Sequence, residues 1–434
     1  MKALFYFRGP NPAAGSLEEA SAFMIYKLYK PSQPLDASVE LPVSKSISNR
    51  QLIIHALSGS GTYPGNLSDS DDTRVMVRAL ASKDLTRDVG HAGTSMRFLT
   101  AYFSSRQSRV HLTGSKRMKQ RPIGPLVDAL RELGASIDYL ENDGFPPLEI
   151  RGKLLPGGEI TIDGSISSQF ISALLMIGPM MKNGLKIHLA GEVVSGSYIR
   201  MTLELMRQNG VQCQYEGNTI TVPHAGYRVS LREVESDWSA ASYWYSMAFL
   251  DKKSRLELAR LRNEGLQGDS ALVNIFHGLG LVSSFEGNRL RLKSLGMVHP
   301  GTFTYDFTEA PDIVQSMAVT LCLTGIPFRF TGTRTLRIKE TDRILALQNE
   351  LRKLGFVLES DREGSYLDWN GETCDPQTEP VIETYHDHRM AMAFAPAALV
   401  RGTIAIYDPL VVTKSYPAFW ENLKRAGFGM KVEG

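Results

Sequence analysis

Five glycines constrain the fold of this chain more than any other feature. Gly134, Gly210, Gly280, Gly355 and Gly427 each end an amphipathic stretch and open a run of strand character. Leu126–Leu133 leads to Gly134-Ala-Ser-Ile-Asp-Tyr, and Thr202–Asn209 leads to Gly210-Val-Gln-Cys-Gln-Tyr. Ala271–Leu279, Ile344–Leu354 (followed by Gly355-Phe-Val-Leu-Glu) and Phe419–Ala426 do the same, and the glycines are 76, 70, 75 and 72 residues apart. Glycine directly after a helix fits the left-handed position that side chains resist. The spacing therefore predicts a copied helix–glycine–strand–turn–strand.

A second series of helix starts interleaves with the first, near Ser46, Gly93, Ser167, Asp237, Pro311 and Asp387. After a first step of 47, its steps are 74, 70, 74 and 76 residues. Each start is polar and turns apolar, as in Ser167-Ser-Gln-Phe-Ile-Ser-Ala-Leu-Leu, and Pro311 suits a first helical position. The unit reads β-α-β-α-β-β and occurs six times. The first copy is short, because the helix Asp71–Leu80 has no hairpin before Asp88-Val-Gly-His-Ala-Gly93. Strands alternating with helices predict an α/β class with mixed sheets covered by helices. Six units divide into two domains of three: residues 44–236, and residues 24–43 with 237–434. Residues 1–23, with Gly9-Pro-Asn-Pro-Ala-Ala-Gly15, read as a disordered extension. Helix starts facing each other across the two domains would make an anion-attracting cleft, the expected active site.

Composition excludes several classes. The chain has 434 residues, 43% hydrophobic and 22% charged, with a net charge of +2, so no overall field favours nucleic acid or membrane. Cys213, Cys322 and Cys374 are isolated, which gives neither a disulfide framework nor a metal spacing and suits a reducing cytoplasm. No run of about 18 apolar residues marks a membrane span, and no signal-peptide pattern opens the chain.

Charge is concentrated at the helix starts. Lys45, Arg50, Arg97, Arg121, Arg200, Lys339, Arg343, Arg389 and Lys414 lie there or in the turns leading in. Free N–H groups and the helix dipole already attract anions. Arg adds bidentate bonding to carboxylate or phosphate, and Lys adds a point charge. One such residue alone would be an ordinary solvated charge, but the set points to a substrate with several anionic groups. Lys339, Glu340 and Arg343 are expected within one turn at a helix start, where flanking cations keep the glutamate ionised. Asp312 sits at a helix start, a place where acids also serve the dipole alone. Asp387-His-Arg389 offers His beside Arg, or merely a capping Asp with a packed His. No phosphate-binding Gly-x-x-x-x-Gly-Lys-Ser/Thr loop, dinucleotide fingerprint or metal-ligand spacing occurs, so neither metal nor cofactor is expected. These patterns leave the reaction unnamed.

In order along the chain, seven stretches resemble the enolpyruvylshikimate-phosphate synthase family, the 3-phosphoshikimate 1-carboxyvinyltransferases. They are Ser44-Lys-Ser-Ile-Ser-Asn-Arg50, Ala92-Gly-Thr-Ser-Met-Arg97, Arg117-Met-Lys-Gln-Arg-Pro-Ile123, Gly164-Ser-Ile-Ser-Ser-Gln-Phe170, Ile338-Lys-Glu-Thr-Asp-Arg343, Asp387-His-Arg-Met-Ala-Met392 and Thr413-Lys-Ser-Tyr-Pro417. The resemblance implies a monomeric two-domain inside-out α/β barrel that closes on substrate. It also implies transfer of the enolpyruvyl group of phosphoenolpyruvate to the 5-hydroxyl of shikimate-3-phosphate, by addition and then loss of phosphate, without metal. By matching position, Lys45, Gly93, Arg121, Gln169, Arg343, Arg389 and Lys414 would hold phosphoenolpyruvate. Lys45, Ser46, Arg50, Ser167, Ser168, Gln169, Ser195, Asp312 and Lys339 would hold shikimate-3-phosphate. Asp312, Glu340 and Lys45 would be catalytic, Asp312 taking the 5-hydroxyl proton and Glu340 protonating the methylene carbon.

The chain departs from the family pattern at His91, Phe98 and Arg200, and at Thr335, whose place as a substrate contact is doubtful. Three alternatives stay open. A sister transferase acting on a UDP-sugar typically uses a loop cysteine, and no cysteine here matches. An RNA-end cyclase would need a nucleophilic His. A non-catalytic anion-binding module would have no use for Asp312 and Glu340.

Overall fold

The computed structural model describes residues 24–263 and 265–433. They form two compact units, one of Val43–Val234, the other of residues 24–42 and the described residues from Glu235 onward. Strands β1 (Ile25–Tyr29) and β2 (Asp36–Val39) come first and belong to the second unit. The first unit then holds α1 (Lys45–Ser58), α2 (Asp71–Ala81), β3 (Thr86–Asp88), α3 (Gly93–Ser104), β4 (Ser108–Thr113), α4 (Gly124–Glu132), β5 (Ser136–Tyr139) and β6 (Leu148–Gly152). It continues with β7 (Gly158–Asp163), α5 (Ser168–Ile177), β8 (Leu185–Ala190), α6 (Gly196–Gln208), β9 (Gln214–Glu216) and β10 (Thr219–Val222). The second unit resumes with α7 (Trp238–Leu250), β11 (Arg255–Ala259), α8 (Leu272–Gly278), β12 (Leu281–Glu286), β13 (Arg289–Ser294), β14 (Phe303–Asp306), α9 (Val314–Thr324) and β15 (Phe328–Thr331). It ends with α10 (Arg343–Lys353), β16 (Tyr366–Trp369), β17 (Val381–Ile382), α11 (His388–Phe394), α12 (Ala398–Arg401), β18 (Thr403–Tyr407), α13 (Phe419–Arg425) and β19 (Gly429–Glu433).

The repeat is physical. Five sheets share one plan: a parallel pair first, then antiparallel neighbours. The parallel pairs are β3 with β4, β7 with β8, β2 with β11, β14 with β15 and β17 with β18. Parallel neighbours need a crossover, which α3, α5, α7, α9 and α11 supply. The whole first unit is inserted between β2 and α7. The last sheet is closed by β1, which pairs antiparallel with β18 on one side and β19 on the other. The sixth hairpin thus takes its missing strand from the start of the chain. The stretch after Gly355, expected as a strand, makes only the bridges Phe356 to Thr373 and Glu359 to Asp368. The register slips by two residues between them, so no continuous ladder forms.

The crossover helices are buried on nearly every side. All seven residues of α11 are buried, as are 11 of 13 in α7 and 9 of 10 in α5. A helix that is apolar all round belongs in a core. In the second unit α7 and α11 both pack on α9, and in the first α3 packs on α1 and α5. The other helix series is amphipathic and lies outside these. No helix among the described residues is long and apolar enough to cross a membrane.

The five glycines of the repeat have φ between +86° and +102°, the region that only glycine enters cheaply. Their surroundings differ. A Cβ on Gly134 would meet Pro156 Cδ at 3.1 Å, whereas one on Gly280 would meet the Gly296 carbonyl oxygen at 2.0 Å. Gly134→Ala is expected to cost about 1–2 kcal/mol, the usual left-handed penalty, and Gly280→Ala clearly more. Urea midpoints of the two variants check this, and equal losses would contradict it.

Candidate active site

In the first unit, polar helix starts come together. Ser44 caps α1, its hydroxyl accepting from the Ile47 N–H at 3.5 Å, and Lys45 opens the helix, with Ser46 next. Lys45 Nζ lies 3.2 Å from Asp72 Oδ2 at the start of α2. The Asp72 carbonyl accepts from Ser95 Oγ at 3.0 Å in the first turn of α3. Gly93 opens α3, and a Cβ there would stand 2.6 Å from Arg121 Nη1. Its missing side chain is what lets the guanidinium lie against the backbone. Arg97 braces this contact, donating from Nη1 to the Gly93 carbonyl and from Nη2 to the Pro122 carbonyl, both at 3.1 Å. Gln169 Nε2 donates to Thr94 Oγ1 at 3.2 Å, and the Ser167 hydroxyl caps α5 by accepting from the Gln169 N–H at 3.4 Å. Lys45, Gly93, Arg121, Ser167, Ser168 and Gln169 thus stand at the joined starts of α1, α3 and α5.

Two expected binding residues lie deeper. Arg50 is 2% exposed. It donates to Thr202 Oγ1 at 2.7 Å, Ser172 Oγ at 3.0 Å and the Ser46 carbonyl at 2.9 Å, and Phe98 and Tyr198 face it. Burial pulls its guanidinium down to about 10, so it stays charged at neutral pH. Ser195 is buried at the start of α6 with φ +55°, a conformation costly for serine and often found at functional sites.

In the second unit, the charges converge on Arg343. Its Nε donates to Asp387 Oδ2 at 2.7 Å, its Nη1 to Asp312 Oδ1 at 3.2 Å and its Nη2 to Glu340 Oε2 at 3.0 Å. Arg343 is 2% exposed. Burial opposes its charge, but Asp387 and Glu340 outweigh burial and hold the guanidinium above its usual value. Lys414 Nζ reaches the other Glu340 oxygen at 2.9 Å. Arg389 Nη2 lies 3.0 Å from Asp312 Oδ2. Desolvation pulls the Lys339 ammonium down while Asp312 holds it up. Asp387 caps α11, accepting from the Arg389 N–H at 2.9 Å, and His388 is buried. Asp387 therefore caps α11, as expected, and also pairs with Arg343.

Several expectations need correcting. Glu340 and Lys339 are not inside a helical turn. The helix begins at Arg343, and Asp342 caps it by accepting from the Leu345 N–H at 3.1 Å. Lys339 and Glu340 stand in the connection before it, which frees Glu340 to meet both Arg343 and Lys414. Asp312 lies in a 3-10 turn, Pro311–Ile313, ahead of α9. Its carboxylate pairs with two arginines rather than serving the helix dipole alone. The Thr335 hydroxyl is buried with no hydrogen-bond partner among the described residues. The sequence reading missed Asp72, Ser239 and Asp269. Ser239 Oγ accepts from Arg389 Nη2 at 3.5 Å and donates to Asp269. Burial, with Asp312 close by, pushes the Asp269 carboxyl up to about 7. Nothing local in Gln267-Gly-Asp269 marks that carboxylate; only the fold places it.

Cations at helix starts in each unit, with the paired carboxylates Asp312 and Glu340 in the second, suit the binding of anions and a proton transfer. Known proteins agree. The family model of EPSP synthase (3-phosphoshikimate 1-carboxyvinyltransferase) matches residues 29–82 and 78–423. The chain belongs to the EPSP synthase family. A 3-phosphoshikimate 1-carboxyvinyltransferase of Bacteroides fragilis is 52% identical over 410 residues, covering 94% of this chain and 99% of that protein. One from a Sulfurovum species is 37% identical, covering 91% of this chain and 97% of its own. The fold is shared with a solved EPSP synthase structure from Acinetobacter baumannii, with a TM-score of 0.75 at 22% identity over 95% of this chain and 100% of that one.

Removing Arg343 takes the guanidinium from the fully buried Asp387 and leaves Asp312 paired with Arg389 and Glu340 with Lys414. Breaking such a pair costs about 3–5 kcal/mol, so Arg343→Met is expected to lose that much stability at neutral pH. Carboxylates without a counter-charge have raised pKa values in the fold, so part of the loss returns as pH falls and they protonate. Urea unfolding at two pH values checks this; a loss under about 1 kcal/mol, the scale of an exposed pair, would contradict it.

Proposed function

We propose that this chain transfers the carboxyvinyl group of phosphoenolpyruvate to the 5-hydroxyl of shikimate-3-phosphate and releases phosphate. The observation that carries the proposal is Arg343 bonded at once to Asp312, Glu340 and Asp387, with Lys414 on the far oxygen of Glu340. Family membership supplies the substrates. Lys45, Gly93, Arg121, Gln169, Arg343, Arg389 and Lys414 hold phosphoenolpyruvate. Lys45, Ser46, Ser167, Ser168, Gln169, Ser195, Asp312 and Lys339 hold shikimate-3-phosphate, with Arg50 as the charge beneath Ser46. Each unit is built on three copies of the β-α-β-α-β-β plan, the first copy short, in an inside-out barrel. The working protein is a cytoplasmic monomer.

The reaction follows from the charges. Two phosphates and two carboxylates repel one another, and the cations offset that repulsion. Glu340 gives a proton to the methylene carbon of phosphoenolpyruvate, making a methyl group and positive charge at the adjoining carbon. The 5-hydroxyl oxygen attacks that carbon, and its proton passes to Asp312. The tetrahedral intermediate then loses phosphate as its C–O bond breaks, the leaving phosphate takes the proton held by Asp312, and the methyl group returns a proton to Glu340 as the double bond re-forms. Lys45, at the start of α1, neutralises charge near the reacting atoms.

Glu340 has both oxygens on cations, which favours its ionised form. Substrate anions compete for Arg343 and Lys414, so binding raises its proton affinity toward what a general acid needs. Burial pushes the Cys213 thiol up to about 12 and Cys322 well above its ordinary range, so neither is a ready nucleophile.

Phosphate release on mixing the chain with both substrates is the direct test. No release, or release only with a UDP-sugar acceptor, overturns the proposal. Glu340→Gln is expected to lower kcat at least about a hundredfold, the scale of general acid catalysis, with little change in shikimate-3-phosphate affinity. Near-normal turnover would take Glu340 out of the mechanism.

A further inference from the structure

One carboxylate beside Arg389 has no part in the roles above. Asp269 lies in the 3-10 turn Gly268–Ala271 that leads into α8 and is 5% exposed. Ser239, in the first turn of α7, donates from Oγ to Asp269 Oδ2. The same Oγ accepts from Arg389 Nη2 at 3.5 Å. That Nη2 also lies 3.0 Å from Asp312 Oδ2, while Nη1 donates to the Asp312 carbonyl at 3.1 Å. Donation runs one way, from Arg389 to Ser239 to Asp269. An ionised carboxylate accepts at the end of such a chain. A protonated one brings a donor of its own and competes with the arginine for the serine oxygen.

We propose that Asp269 is a positioning residue: through Ser239 it aims the Arg389 guanidinium at the site of the phosphoenolpyruvate anion, and protonation of Asp269 loosens that aim. The inference rests on the reading that Arg389 holds phosphoenolpyruvate. The charged and titratable groups facing Asp269 are Asp312, Arg389, Asp237 at the cap of α7, and Tyr305 on β14. Burial, Asp312 and Asp237 favour the protonated form, while Arg389 and the Ser239 hydroxyl oppose it, with a midpoint of about 7. The relay therefore changes state within the pH range in which a cytoplasmic enzyme works. A buried carboxylate that only stabilised the turn would leave substrate affinity and its pH dependence untouched.

The test compares Ser239→Ala and Asp269→Asn with the wild-type enzyme by phosphate release at pH 6 and pH 8. Ser239→Ala is expected to raise the KM for phosphoenolpyruvate about tenfold at pH 8, the scale of one bond to a charged group. Its kcat and its KM for shikimate-3-phosphate should change far less, the mark of lost substrate positioning. In Asp269→Asn the KM for phosphoenolpyruvate should be raised at pH 8 and should lack the further rise that the wild type shows between pH 8 and pH 6. Titration of the substrate phosphates is common to both enzymes, so the difference reports Asp269. Variants that melt earlier but keep the wild-type KM and pH profile would overturn the inference and leave the activity intact. A wild-type chain that releases no phosphate would overturn the functional reading, and this inference with it. If Asp269→Asn fails to fold, Ser239→Ala, which leaves the carboxylate in place, decides the matter alone.

Discussion

The guanidinium of Arg343 is the interaction on which the second unit's site depends. An unpaired buried charge is costly, and a buried pair repays its desolvation only with close geometry and its other donors satisfied. Arg343 meets that condition through three carboxylates that come from three places in the chain: Asp387 at the cap of α11, Asp312 before α9 and Glu340 before α10. Arg389 and Lys414 balance the remaining oxygens of Asp312 and Glu340. The cluster is thus poised by charge. A substrate phosphate or carboxylate that engages the cations leaves the carboxylates less neutralised, and a less neutralised carboxylate holds a proton more firmly. In the proposed reaction, substrate binding and the arming of Glu340 would be two sides of one electrostatic exchange.

The repeated unit explains why such clusters exist. Each copy buries one helix almost completely and leaves its polar start at one end of the core. A single helix start is a weak anion site. Packing α1, α3 and α5 together, and α7, α9 and α11 together, gathers three starts in each unit. Within each unit the side chains that decorate them are thereby gathered, Lys45 and Gln169 in the first, Asp312 and Arg389 in the second. Close approach is bought by glycine only where it is needed, as at Gly93, where Arg121 lies against the backbone.

Local signals carried most of the fold. Helix caps at Ser167, Asp237 and Asp387 are visible in sequence because capping uses residues within one turn, and the structure has those caps. The glycine series is visible because left-handed φ is a property of one residue. What was hidden depends on distant contacts. The pairing of β1 with β18 joins Ile25 to Tyr407, and no periodicity announces it. The bulged stretch after Phe356 has strand composition but no continuous partner. That the expected residues gather at the helix starts of each unit was legible through short motifs. Their supports were not, because Asp72, Ser239 and Asp269 carry no motif and acquire meaning only from what folds beside them. Glu340 was legible as an acid among cations, but its place in a connection rather than a helix was set by Asp342 taking the cap.

The proposed exchange of cations between Glu340 and substrate can be tested directly. Carboxyl-labelled glutamate would give Glu340 a resonance, assigned by its loss in Glu340→Gln. Its titration would be followed for the protein alone and with shikimate-3-phosphate plus a non-reacting phosphoenolpyruvate analogue. The expected result is a midpoint that moves to higher pH when the ligands bind. A midpoint that stays in place or falls would mean that substrate does not compete for Arg343 and Lys414, and the charge exchange at the centre of the site would be wrong.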